Sequence, residues 1–125
     1  MVSWNNLDTL SSYKELADVK PACLTEVMSG DNGAERVKNY SVPMAAGLSY
    51  NYASKQVNEN VLAALEKLAN EAQLADKFKA LYNGEVVNTG EKRLVLHHMT
   101  RGQLGDAVEA DGVDKRTFYK TQQER

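Results

Sequence analysis

Asn83-Gly84-Glu85-Val86-Val87-Asn88-Thr89-Gly90-Glu91-Lys92-Arg93-Leu94-Val95-Leu96-His97-His98-Met99-Thr100-Arg101 is the stretch on which the reading of this 125-residue chain turns. Asn83-Gly84 is a strong helix stop, because both residues accept the left-handed backbone that closes a helix. Beyond the loop Gly84 to Asn88, Arg93, His97 and Arg101 recur every four residues, a spacing that predicts one face of a helix opened by Gly90 and Glu91. At a rise of ~1.5 Å per residue the two arginines would stand roughly 12 Å apart along the axis, too far to grip one small anion together. Leu94, Leu96 and Thr100 fall on other faces. The stripe is therefore expected to meet a wide polar surface, pairing with carboxylates or carbonyls across an interface. Glu91 would compete with any anion for the positive end of that helix and reads as an ordinary first-turn acid.

Upstream, Leu7, Leu10, Tyr13, Leu16 and Ala17 follow the helical period, with Asp8 or Ser11 available as caps and Pro21 as the stop. A second short helix is expected over Ala22 to Met28, ending at the turn-like Ser29-Gly30-Asp31-Asn32-Gly33, so that the two form a helical hairpin. After a polar run holding Arg36 and Lys38, Tyr40-Ser41-Val42 and Leu48-Ser49-Tyr50-Asn51-Tyr52 alternate as two strands around Pro43 to Gly47. Such a hairpin is marginal alone and must lean on helices. Asn58 caps the strongest helix, whose stripe of Val61, Leu62, Leu65, Leu68, Ala69 and Ala72 reads as core, and Leu74, Phe78, Ala80 and Leu81 extend a helical pattern to Asn83. Beyond Arg101 the chain is polar until a helix-like stretch begins at Asp114-Lys115-Arg116-Thr117-Phe118-Tyr119-Lys120. That pattern meets no stop signal before Arg125, which suggests a truncated piece, with a solvated terminal helix as the other reading. The expected fold is mainly α with a short β-hairpin, an α+β segment forming one unit over 1–125.

Composition narrows the function classes. A formal net charge of -2 gives no electrostatic case for nucleic acid or an anionic membrane. Met1-Val2-Ser3-Trp4-Asn5-Asn6 lacks the pattern of a secretory signal, and no run approaches the ~18 apolar residues of a membrane span. Cys23 is the single cysteine, which excludes an internal disulfide and fits a reducing compartment, with the cytoplasm as the default. It lies in an apolar helical context, better suited to packing than to catalysis. Neighbours on a helix point ~100° apart, so His97-His98 makes a poor metal site. The glycines form no phosphate-cradling motif. Ser54-Lys55 would point to opposite sides of an extended chain and reads as a turn serine beside a surface lysine, not a dyad.

The stretch Phe78 to Arg101 resembles the N-terminal region of the glucose-6-phosphate isomerase family, where a helix ending in N-G-E-x-[IV]-N is followed by T-E-x-R-x-V-L-H-x-A-L-R. Asn83, Gly84, Glu85, Val87, Asn88, Glu91, Arg93, Val95, Leu96, His97 and Arg101 match; Gly90, Met99 and Thr100 depart, removing the usual hydroxyl cap and a leucine. Tyr52-Ala53-Ser54-Lys55-Gln56 falls where the family has D-Y-S-K-N after a strand. The likeness covers residues 35–105, has its most specific part at 83–101, and looks like a divergent bacterial branch.

What the resemblance implies is an N-terminal helical segment preceding, and packed on, the two α/β sugar-isomerase domains of a cytoplasmic homodimer. Family members interconvert glucose 6-phosphate and fructose 6-phosphate in glycolysis and gluconeogenesis, through an enediol, with a glutamate base and no cofactor. The family's catalytic groups belong to segments beyond Arg125, so none is carried over, and His97 is not given the ring-opening role. Asn88, Glu91, Arg93, His97 and Arg101 are expected to form an interdomain structural motif whose partner is the remainder of the same polypeptide. Two other readings stay open: a free-standing helical interaction module, and sugar-phosphate binding by Arg93 and Arg101 without catalysis.

Overall fold

In the computed structural model, which describes residues 2–102 and 105–125, short helices alternate with antiparallel two-stranded sheets. The chain divides into two units, Leu10–Leu68 and Met1–Thr9 with Ala69–Arg125.

In the Leu10–Leu68 unit, α1 spans Ser11–Asp18, α2 Leu24–Val27 and α3 Gly30–Asn39. The third helix occupies the region expected to be a turn and a polar run. Gly33 is not a breaker there: a Cβ on it would overlap the Met28 carbonyl, so glycine is what lets α3 pass close to the end of α2. Strands β1, Ser41–Pro43, and β2, Ser49–Asn51, pair as expected, with Val42 opposite Tyr50. The Tyr52 amide extends the pairing by donating to the Tyr40 carbonyl at 2.9 Å.

Arg36 organises the exit from β2. It is buried, donates from Nε to the Ala53 carbonyl at 2.8 Å and from Nη2 to the Lys55 and Val57 carbonyls at 2.9 and 2.8 Å, and stacks over Tyr40. Three carbonyls in an irregular segment that cannot pair with a strand thus find their donors on one planar fork. Helix α4, Glu59–Glu71, begins where Asn58 Oδ1 accepts from the Val61 amide at 2.9 Å, the expected cap. The same Asn58 donates from Nδ2 to the Lys20 carbonyl at 3.2 Å, tying the helix start to the α1–α2 link. The apolar stripe of α4 is not core throughout: Leu65 remains 40% exposed.

In the other unit, α5 spans Leu74–Tyr82, followed by β3, Val86–Asn88, paired with β4, Arg93–Leu94. Strands β5, Glu109–Ala110, and β6, Val113–Asp114, form a tight hairpin leading into α6, Lys115–Gln123. Asp114 caps α6, accepting from the Arg116 amide at 3.1 Å and from the Thr117 amide and hydroxyl at 3.3 and 2.6 Å. Gly84, at φ +72°, closes α5; a side chain on it would strike Val108. Among the described residues the buried apolar side chains are Ala22, Ala53, Ala72, Ala80, Met99 and Val108, mostly alanines, so each unit is centred on very little apolar volume.

Candidate functional site

The motif from Asn83 to Arg101 is a hairpin followed by a 3-10 turn, not a single helix. Asn88 sits opposite Arg93, and its Oδ1 accepts from the Glu91 amide at 3.1 Å, an Asx-type turn that reverses the chain. Lys92 completes the reversal in the left-handed region, at φ 53°. This turn chemistry overrides the four-residue spacing: Arg93 enters β4, while His97–Arg101 forms the 3-10 turn. The helical stripe of Arg93, His97 and Arg101 is therefore corrected.

Three of the five sequence-derived site residues do converge. Asn88 Nδ2 donates to Glu91 at 3.4 Å, and the Arg93 guanidinium lies 3.7 Å from the same carboxylate. Both charged side chains are well exposed, so this pair contributes little to stability by itself. His97 and Arg101 sit on the separate 3-10 turn with exposed side chains. Arg93 and Arg101 thus stand on different elements, with Arg93 beside the Glu91 carboxylate.

The inward contacts of the turn come from residues that the spacing argument passed over. Met99 is fully buried, and His98 stacks on Tyr82 with ring centroids 4.8 Å apart. Thr100 closes the turn by donating its hydroxyl to the His97 carbonyl at 2.8 Å, and the Gln123 amide from α6 donates to the Thr100 carbonyl. Arg116, also buried, donates to the Tyr82 carbonyl at 2.5 Å and to the Asp106 carbonyl, with its guanidinium over the Tyr82 ring. A lone methionine in a polar run and an arginine in the first turn of a capped helix were the available signals. Met99 departs from the family pattern, and its neighbours in sequence carry no packing signal.

The titrations of Asp114 and Tyr40 are displaced. The hydrogen bond from the Thr117 hydroxyl, with the backbone amides of Val108, Arg116 and Thr117, holds Asp114 below the usual carboxylate value against the opposing effect of desolvation. Burial, reinforced by the hydrogen bond that Tyr40 donates to Glu59 at 3.1 Å, raises the Tyr40 phenol. Both groups have structural work: Tyr40 bonds Glu59, and Asp114 caps α6 at the edge of a cavity of about 180 Å³ that Arg116, Thr117 and Lys120 also line. Ser54 and Lys55 lie exposed in a turn where the Lys55 amide donates to the Tyr52 carbonyl at 3.0 Å. Among the described residues no three His, Cys, Asp or Glu side chains are grouped to hold a metal ion.

The profile of the phosphoglucose isomerase family matches residues 51–125, which include the hairpin, the turn and the α6 cap. The chain belongs to the phosphoglucose isomerase family. Its relatives include the glucose-6-phosphate isomerase of Treponema denticola, 44% identical over 94% of this chain and 23% of that protein. The Borreliella afzelii enzyme of the same name is 40% identical over 100% of this chain and again 23% of its own length. That of Pseudomonas aeruginosa is 40% identical over 64% of this chain and 14% of its length. The chain thus spans less than a quarter of these phosphoglucose isomerase relatives, and within it the family motif is a folded hairpin-and-turn unit.

Proposed function

We propose that this chain is the N-terminal part of an aldose-ketose isomerase that interconverts glucose 6-phosphate and fructose 6-phosphate, and that it supplies scaffold without the catalytic groups. The observation that carries this reading is the identity of 44% with Treponema denticola glucose-6-phosphate isomerase across nearly the whole chain but only 23% of that protein. The site chemistry supports it: Asn88, Glu91 and Arg93 form a surface cluster suited to pairing with polar groups, with no nucleophile and base set against each other. The partner of Asn88, Glu91, Arg93, His97 and Arg101 is then the remainder of the same polypeptide, through polar contacts between domains.

The parent enzyme, on this reading, binds a sugar phosphate, acts as a homodimer in the cytoplasm and serves glycolysis and gluconeogenesis without a cofactor. Among the described residues no helix is long and apolar enough to cross a membrane. The free-standing interaction module is disfavoured by the family match. Two assays test the proposal: the isolated chain should not interconvert the two sugar phosphates, whereas a chimaera carrying it in place of the matching segment of the Treponema denticola enzyme should. Turnover by the isolated chain, or a folded chimaera without turnover, would contradict it.

A further inference from the structure

The Leu10–Leu68 unit carries a groove of about 380 Å³ between the β1–β2 hairpin and α4. Val42, Tyr50, Tyr52, Leu62 and Leu65 line it, and Lys55 is its one charged wall residue. Tyr50 and Val42 are 49% and 44% exposed, so cross-strand partners that ordinarily face a core here face open space. The walls are fixed before any occupant arrives: Arg36 pins the segment behind Lys55, Tyr50 and Tyr52 stack with centroids 6.1 Å apart, and Tyr52 is tied to the Tyr40 carbonyl. A preformed apolar groove of this kind is suited to receiving side chains without reorganisation.

The surface area of the chain points the same way. Its accessible surface is 9377 Å², whereas two free-standing globules of half its mass would expose about 8,000 Å² together. The excess is of the order of an interface, and the relatives hold more than three-quarters of their length outside the matched segment. We infer that the groove between β1–β2 and α4 seats an apolar segment of the longer polypeptide, from the part outside residues 1–125, which buries Leu65 and Tyr50. This rests on the isomerase reading above and adds to it a second, apolar contact surface, separate from the polar Asn88-Glu91-Arg93 cluster.

The test uses the chimaera with Treponema denticola glucose-6-phosphate isomerase, carrying Cys23→Ser and Leu65→Cys, pulsed with a maleimide and read at position 65 by peptide mass spectrometry. In the active chimaera, labelling at position 65 is expected to be at least about ten-fold slower than in urea, as for a site opened only by unfolding. Labelling near the unfolded rate in an active chimaera would overturn the inference, and so would protection that appears only as protein concentration rises, which assigns the groove to a second copy. Tyr50→Cys on the opposite wall reports the same outcome should Leu65→Cys impair folding. A folded chimaera inactive before any cysteine is introduced would contradict the isomerase reading instead, so the two failures are distinguishable.

Discussion

Arg36 directs its guanidinium at the carbonyls of Ala53, Lys55 and Val57, and that fork stands where a larger core would otherwise hold the segment. Truncation leaves three acceptors without donors, so Arg36→Ala is expected to lower the unfolding free energy by ~3 kcal/mol or more, measured by urea denaturation. Arg36→Lys should recover only part of the loss, because one ammonium cannot reproduce a planar three-carbonyl fork. Asp114 gives a pH signature. Its carboxyl is held below the unfolded value of 3.8, so its contribution is fully present above that pH and is lost as pH falls through the lower folded value. The stability difference between the wild type and Asp114→Ala should accordingly be constant near neutrality and shrink below pH 3.8, as followed by thermal melts in a pH series.

The 3-10 turn at His97–Arg101 is held from inside by Met99 and His98, while His97 and Arg101 remain exposed. Met99→Ala should cost ~2–5 kcal/mol in the isolated chain, as for other buried methionines, whereas His97→Ala and Arg101→Ala should stay within about 0.5 kcal/mol. Gly33→Ala is expected to destabilise the α2–α3 pair by ~1–3 kcal/mol, since the added methyl meets a backbone carbonyl that has little room to yield. These elements mark where the sequence is legible. The α4 cap at Asn58, the α6 start at Asp114 and the β1–β2 hairpin follow local capping and alternation rules and lie where those rules place them. At Gly33 and Asn88 one residue type serves two purposes: glycine breaks a helix or allows close packing, and asparagine caps a helix or turns a hairpin. Close neighbours decide between those roles, the Met28 carbonyl against Gly33 and the Glu91 amide at Asn88, and a residue pattern does not show which way the backbone brings them together. Of the site residues, Asn88, Glu91 and Arg93 were found together, but the geometry joining them is a turn, and the inward anchor Met99 carried no spacing signal.

At the scale of the chain, two sparsely filled units leave apolar side chains such as Leu48, at 64% exposure, and Phe78, at 62%, without cover. On the function proposed above, that surface is expected to be covered by the remainder of a longer polypeptide. Polar recognition at the β3–β4 turn and apolar seating at the β1–β2 groove would then act in series along one polypeptide. The most direct test is the rate at which the unmutated chimaera with the Treponema denticola enzyme converts fructose 6-phosphate to glucose 6-phosphate, measured beside the isolated chain. The account predicts turnover within about ten-fold of the parent enzyme for the chimaera, a loss of no more than ~1.4 kcal/mol in transition-state stabilisation, and none for the isolated chain. A folded chimaera without turnover, or an isolated chain that turns over, would contradict it.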